Sequence, residues 1–510
     1  MSPGVARLRL IPLGQDVDVP YGTPLLDALV PFSAEFPCGG RGRCRGCRIR
    51  VREGTLAETG ADLTMLSASE RQAGWRLACQ ARVEGDLVVE LRQWEGLILA
   101  DDSPFEFIPD EGLGIAVDIG TTTLVAQLLD LATGRVLGTR TALNPQARDG
   151  ADVMSRISAA LQPGGAQRLH RAIHERLAAM VHALLTGADP ALGDVTRATL
   201  VGNTAMHHLF LGHDVGVLAR APFVPASPGA GWLAGAGLGW PARAARARVC
   251  FLPCLGGFVG SDILGVLMAT RLHASPGPAA AADLGTNGEI VVTAGLGRPI
   301  LVSSTAAGPA FEGARITHGM RAAPGAIDRV TPSGRGVAIH VVGGGAPRGM
   351  CGSGLVDAIA CALDLGVIAP SGRMAAGEWT VRGSVTLTQT DVREVQLAKG
   401  AIAAGLEVLT QAAGLLPAAV PVCFLAGAFG NSLSVASSRR IGLLPFAEEA
   451  VRPSGNAALL GAKMALFLGD LGAPLFDTIL PRIRHVHLES EPGFEDRFSD
   501  AMGFPTMVAA

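Results

Sequence analysis

The chain has 510 residues, more than one compact core accommodates, so two or three domains are expected. Apolar residues make up 48% and charged residues 17%, and the formal net charge of −3 gives no global argument for nucleic acid or membrane binding. Nine cysteines argue for metal-bound or buried thiols rather than a disulfide scaffold, because MSPGVARLRLIPLG lacks the apolar core of an export signal; a cytoplasmic protein is expected.

Residues 1–93 read as a small mixed α/β domain. RLRLIPLG and QDVDVPYG alternate like a hairpin, TPLLDALVPF has helical spacing, and RIRVREG and DLVVELRQW read as strands. Between them stands Cys38-Gly-Gly-Arg-Gly-Arg-Cys44-Arg-Gly-Cys47, with Cys79 far downstream. A [2Fe–2S] cluster takes four thiolates, two per iron, and three from one loop must wrap it closely. Glycines at 39, 40, 42 and 46 suit such a loop, because they bend with positive φ and bring N–H groups near the sulfides. Zinc is the rival occupant, but it favours paired C-x2-C knuckles and only one such pair exists here. The segment resembles a β-grasp [2Fe–2S] ferredoxin domain, its C-x5-C-x2-C spacing being that of the adrenodoxin-like variant. Arg41, Arg43, Arg45, Arg48, Arg50 and Arg52 crowd this region, either as a solvated surface or to raise the cluster potential and dock an acidic partner.

Residues 94–112 fit no period and read as a partly docked linker. Residues 113–278 and 279–510 are expected to form two related lobes. The first opens with a strand, Asp118-Ile-Gly120-Thr121-Thr122-Thr123 and a second strand; the second opens with Asp283-Leu-Gly285-Thr286-Asn287-Gly288-Glu289 in the same setting. Glycine lets each turn approach phosphate oxygens with its N–H groups and threonine hydroxyls. The aspartates can position Mg²⁺ or its waters, since Mg²⁺ prefers few carboxylates and many waters. Asp118, Asp283 and Glu289 are the catalytic candidates, and the intervening glycines, threonines and Asn287 the nucleotide contacts. The apolar run from Phe251 to Thr270 carries Asp262 and four glycines, and reads as a strand, loop and helix rather than a membrane span.

A third glycine element, CFLAGAFGN, sets a strand before Gly427, Gly430 and Asn431. The two D-φ-G-T turns and this element resemble the two-lobed ATPase clan of actin, Hsp70 and sugar kinases, whose fold is RNase H-like. The resemblance implies that the third loop lies under adenosine. Ahead of it, VREVQLAKGAIAAGLEVL puts Val392, Val395, Ala398, Ile402, Leu406 and Leu409 on one helical face. Lys399 beside that face is read either as a snorkelling lysine or as an adenosine contact. No G-x-x-x-x-G-K-[ST] string occurs, which excludes a P-loop ATPase.

VGNTAMHHLFLG, STAAGPAFEGARITHGM, GMCGSGLVDAIA and GNAALLGAKMAL match strings of the reductive activators of corrinoid proteins, which join a ferredoxin domain to this ATPase fold. That resemblance implies an ATP-hydrolysing iron–sulfur reductase that restores an oxidised corrinoid protein from Co(II) to Co(I). Its electron would come from an upstream donor, its cofactors would be a [2Fe–2S] cluster, ATP and Mg²⁺, and a homodimer is expected, with no nucleic acid or membrane partner. The rival readings are an ATP-coupled activator of a non-corrinoid metalloenzyme and a redox-sensing ATP-binding protein. His207 and His208 are read as metal or cobalt ligands or as a packed helix start. Asp262 and Glu312 are weighed as groups facing the nucleotide, and Cys250, Cys254 and Cys351 as buried small residues.

Overall fold

A computed structural model describes residues 4–11, 15–29, 42, 47–91, 103–150, 152–285, 287–313, 315–334 and 336–506. The first sheet is built from β1 (Val5–Ile11), β2 (Gln15–Pro20), β3 (Arg48–Glu53), β4 (Trp75–Leu77) and β5 (Leu87–Leu91), in the order β2-β1-β5-β3-β4. β1 and β2 form the expected antiparallel hairpin, and β1 runs parallel to β5. Alternation explains the layering: Ala6, Leu8 and Leu10 of β1 point into a core with Leu25, Leu29, Ile49, Leu77 and Val89. Asp62 is fully buried because it has partners, closing a capping box with Thr59 and accepting the Leu77 N–H at 2.6 Å.

Two six-stranded sheets follow. The first contains β6 (Leu113–Ile119), β7 (Thr123–Asp130), β8 (Val136–Leu143), β9 (Val195–Gly202), β10 (Gly231–Ala234) and β11 (Arg248–Phe251), ordered β10-β11-β9-β6-β7-β8. The second contains β12 (Ala279–Leu284), β13 (Gly288–Thr293) and β14 (Ile300–Thr305). After a three-stranded sheet of β15 (Ala326–Ser333), β16 (Gly336–Val341) and β17 (Gly349–Met350) and a hairpin of β18 (Glu378–Arg382) and β19 (Val385–Thr388), it resumes with β20 (Cys423–Ala426), β21 (Val451–Pro453) and β22 (Ile483–His485). Its order is β21-β20-β12-β13-β14-β22.

Both large sheets share one plan. Three antiparallel strands (β8-β7-β6 and β14-β13-β12) are extended by two parallel ones (β9-β11 and β20-β21). Each lobe then sends a helix to their junction, Ser261–Ala269 from the first and Ala457–Leu466 from the second. They cross at Gly265 and Gly461, the fifth residue of each; a Cβ on Gly461 would stand 2.2 Å from the Gly265 carbonyl oxygen. This duplicated α/β plan is the RNase H-like, two-lobed fold of the actin, Hsp70 and sugar-kinase clan. Phe251 and Ser261–Ala269 occupy a strand and a buried helix, and among the described residues no helix is long and apolar enough to cross a membrane.

The described end of the linker docks. Phe105 and Phe107 pack on Phe467 at ring separations of 5.4 and 4.6 Å, and Lys463 stands over the Phe105 ring at 5.8 Å. The ferredoxin-like unit meets the second lobe through Arg48, which donates to the Thr317 carbonyl at 2.7 Å, and through Arg348, which donates to Glu90 and the Leu91 carbonyl. It meets the first lobe through an ion pair between Arg148 and Asp27.

Candidate functional site

The two D-φ-G-T turns face each other across a cleft of ≈ 1140 Å³ between the lobes. Asp118 is the penultimate residue of β6 and Asp283 that of β12, so the same strand end delivers each carboxylate to the opening. Asp262 enters from the first turn of Ser261–Ala269, and Glu289 from β13, directly opposite Asp283 in the strand register.

Three asparagines brace this floor. Asn456 caps the helix Ala457–Leu466 by accepting the Leu459 N–H at 2.9 Å, while its amide donates to Asp118 at 3.2 Å. Asn203 likewise caps Thr204–Leu211 and donates to the Thr121 hydroxyl at 2.7 Å. Asn144 holds the Gly120 carbonyl at 2.9 Å, and the buried Arg156 donates to the Thr121 carbonyl and, at 2.9 Å, to that of Gly150. A Cβ at Gly120 would meet the Thr123 carbonyl at 2.6 Å, and one at Gly427 (φ +82°) would meet Asp283 at the same distance. These glycines let the chain turn where any side chain would strike the Thr123 carbonyl or the Asp283 carboxylate.

The electrostatics are those of a cation site. Burial raises Asp118 to about 6, opposed by the Asn456 hydrogen bond. Burial and the Asp118 charge raise Asp283 to about 7. Burial, then Asp283, raises Asp262 to about 8, and burial with Asp262 and Asp283 drives Glu289 well above the usual carboxylate range. Burial and crowding thus lift all four carboxyls above the usual range, Asp262 and Glu289 far enough to stay protonated near neutral pH, and a divalent cation would displace such protons. Arg156, although burial draws it down to about 9, stays protonated near neutral pH and puts a cation beneath the Thr121 loop.

Gly120, Thr121, Thr122, Thr123, Gly285, Asn287 and Gly427 line the cleft, as do Asp262 and Glu312. Gly288 and Gly430 do not; Gly288 packs against Thr305 and Ile402, and Gly430 against Leu425. Thr286 and the side chain of Asn431 lie outside the described residues. Lys399 is also away from the cleft: its ammonium donates to the Gly503 carbonyl, sits 5.1 Å from the Phe504 ring, and is drawn down to about 8 by burial. It anchors the C-terminal segment to the helix Gln389–Ala412, on which all six apolar residues of the expected stripe are buried.

Arg156, Asn203, Asn456, Asp357 and Phe429 complete the lining and its support without having been singled out in the sequence. Arg156 left a signal, since it falls within the apolar stripe Val153, Ile157 and Ala160 of its helix. Phe429 stacks on Phe311 at 4.8 Å, a pairing across more than a hundred residues that no local pattern announces.

In the first domain, Cys47 immediately precedes β3 and Cys79 sits in the short turn Ala78–Gln80, joined by a hydrogen bond from the Ala78 N–H to the Cys47 carbonyl at 3.1 Å. Gly42 (φ +65°), the one described residue between Cys38 and Cys47, lies so close to this turn that a Cβ would stand 3.2 Å from Gln80, next to Cys79. Cys38, Cys44, Arg41, Arg43 and Arg45 lie outside the described residues. The soft thiolate donors and this approach fit a [2Fe–2S] cluster. Arg48, Arg50 and Arg52 are engaged rather than merely solvated, with Glu70, the Ala73 carbonyl and Glu90 respectively.

His207 and His208 lie buried beside Cys254, their ligand-type atoms within 4.8 Å. His208 donates from Nδ1 to the Thr204 carbonyl and accepts the Ser227 N–H at Nε2, and His207 donates from Nε2 to Gly229. The pair is a hydrogen-bonded helix start.

Across residues 278–510 the chain matches the C-terminal domain of RACo, the ASKHA domain; across 113–275 it matches the RACo middle region, and across 9–84 a 2Fe-2S iron-sulfur cluster binding domain. It is 32% identical to the corrinoid activation enzyme RamQ of Eubacterium limosum, over 95% of this chain and 97% of that one. The chain belongs to the family of reductive activators of corrinoid proteins. A second relative, the [Co(II) methylated amine-specific corrinoid protein] reductase of Methanosarcina barkeri, is 27% identical over 69% of each chain. The solved structure of a reductive activator for a corrinoid, iron-sulfur protein superposes with a TM-score of 0.69, at 26% identity over 98% of each chain. The family's ferredoxin domain and ASKHA domain are thus both present here.

Proposed function

We propose that the protein is an ATP-dependent reductive activator that passes an electron from its [2Fe–2S] cluster to a corrinoid protein, reducing Co(II) to Co(I). The reading is carried by one conjunction: a cluster-binding domain docked on a two-lobed cleft with four converging carboxylates, in a chain similar along its whole length to a corrinoid activation enzyme. In this reading the units are 1–93, 94–112, 113–278 and 279–510. Cys38, Cys44, Cys47 and Cys79 hold the cluster, which supplies a one-electron carrier. An upstream reductant provides the electron, and the chain acts as a homodimer in the cytoplasm.

ATP and Mg²⁺ fit the cleft by charge and shape. Gly120 and Gly285 admit phosphate oxygens, Thr121 and Thr122 offer hydroxyls, and Asp118 and Asp283 hold Mg²⁺ through its waters, with Glu289 and Asp262 tuning the charge. Moving one electron against 100 mV costs about 2.3 kcal/mol, so a gap of a few hundred millivolts is within the reach of ATP hydrolysis. The chain's task is to make that energy felt as differential binding of the partner in two states of the cleft.

The test is anaerobic mixing of the reduced protein with Co(II) corrinoid proteins, with and without MgATP, while following the Co(I) absorbance band. A band that requires hydrolysable ATP, and is lost in Cys44→Ser and Asp118→Ala, is the expected result. Its absence with several corrinoid proteins, despite an intact cluster and measurable ATPase activity, overturns the corrinoid assignment.

A further inference from the structure

Glu312 ends a short helical turn of the second lobe (Pro309–Glu312) and accepts the Thr122 hydroxyl of the first at 3.1 Å, a hydrogen bond across the nucleotide cleft. The chain leaving it closes into a tight loop. A Cβ on Gly319 would lie 2.0 Å from the Gly313 carbonyl oxygen, and one on Gly313 2.7 Å from the Met320 nitrogen, so the two ends are clamped together. The loop is also tied to β17, through Met320 N–H to the Met350 carbonyl at 2.8 Å and Met350 N–H to the His318 carbonyl at 2.7 Å. β17 leads directly into Gly352–Asp364, a helix that lines the cleft and starts so close to the Phe311 carbonyl that a Cβ on Gly352 would stand 2.1 Å away. Cleft wall, loop and helix start are one closely packed body, which transmits displacement rather than absorbing it.

The tip of that loop is Thr317, and Thr317 is where the cluster domain is fastened. Its N–H donates to Asp391 at 2.6 Å, and its carbonyl accepts from Arg48 at 2.7 Å. Arg48 is buried, held on its other side by Glu70 at 3.1 Å, and bonded in sequence to Cys47. The second fastening, Arg348 to Glu90 and Leu91, lands beside β17, in the same body. The tie to the first lobe is different: Arg148 and Asp27 are both about half exposed, and such an ion pair is weak.

Building on the nucleotide reading above, we propose that Arg48 is a positioning residue that couples the nucleotide cleft to the placement of the cluster domain. Without nucleotide, Thr122 stays on Glu312 and the loop keeps the position that Arg48 grips. A phosphate group in the cleft competes for the Thr122 hydroxyl and repels the Glu312 carboxylate. The loop then shifts, and the cluster domain is loosened from the second lobe. Coupling of this kind is reciprocal: if nucleotide weakens the docking, weakening the docking strengthens nucleotide binding.

Two measurements on the full-length, cluster-loaded protein test this without any corrinoid partner: the affinity for MgAMPPNP by calorimetry, and hydrogen exchange of β3, β4 and residues 315–320 with and without it. Arg48→Gln, with its visible cluster spectrum retained, is expected to bind MgAMPPNP about fivefold more tightly. It should also show, without nucleotide, the faster exchange that the wild type shows only with it. Arg48→Lys should restore part of both effects, and Arg348→Gln should reproduce their direction if Arg48→Gln loses the cluster. A residue that merely stabilised the fold would not raise affinity at a distant cleft. Unchanged affinity and exchange in both glutamine variants overturn the coupling alone. Failure of the wild type to bind MgAMPPNP overturns it together with the ATP reading.

Discussion

Asp262 shows how much a single carboxyl governs here. Raised to about 8 by burial and by Asp283, it keeps a proton that the unfolded chain releases near 3.8. Its contribution to the unliganded fold is therefore complete below about pH 4 and lost as pH rises through 8. Asp262→Asn should raise the unfolding temperature of the unliganded protein at pH 8 by at least about 2–4 °C and by progressively less as pH falls to 4, a comparison open to scanning calorimetry. With Asp118 at about 6 and Asp283 at about 7, binding of MgATP should release protons between pH 6 and 8. Titration calorimetry in two buffers of different ionisation enthalpy reads that release directly, and an identical heat in both would contradict it. The aspartates were legible as paired D-φ-G-T turns. Asn203 and Asn456 were not, because a helix cap that also reaches into a cleft looks like any other cap until the chain is folded.

Among the elements, the pair of crossed helices is the most exacting. Gly265 and Gly461 allow backbone to approach backbone, and a methyl group at either enters the space of the opposite chain. Gly461→Ala should lower stability by about 1–3 kcal/mol through overpacking and slow any motion of one lobe on the other. Denaturant unfolding and ATPase turnover measured together would separate these effects, and an unaltered midpoint would show that the crossing tolerates more room than its geometry allows. The strands, the hairpins and the long helix were readable from alternation and helical spacing, because each buries one face on one neighbour. Lys399 misled for the same reason. Its position beside an apolar stripe announces burial but not which polar group it will meet, and that group, the Gly503 carbonyl, lies over a hundred residues away.

For the whole molecule, the linker decides how the two machines stay together. Phe105 and Phe107 sit on Phe467, at the far end of the helix whose first residue is capped by Asn456, the donor to Asp118. Phe105→Ala and Phe107→Ala together should cost about 2–4 kcal/mol of local packing. The segment ahead of β6 should then become open to a protease within minutes while the cluster spectrum and ATPase activity persist. Cleavage no faster than in the wild type would mean that the stack does not hold the linker. The sequence announced a linker with an apolar side, yet nothing in it named Phe467 as the receiving surface, since partners so distant leave no shared period.

The repeated strand plan has one more consequence. Two matching halves related by a half-turn would make a container that looks alike from either end, whereas a nucleotide has a head and a tail. The halves differ where it matters: β13 places Glu289 where β7 places Val125, and one crossing helix carries Asp262 where its twin carries Ala458. All four of these residues border the opening. Acid accumulates on one flank and hydrocarbon remains on the other, so the duplicated vessel acquires a polarity, and a ligand can enter it facing only one way.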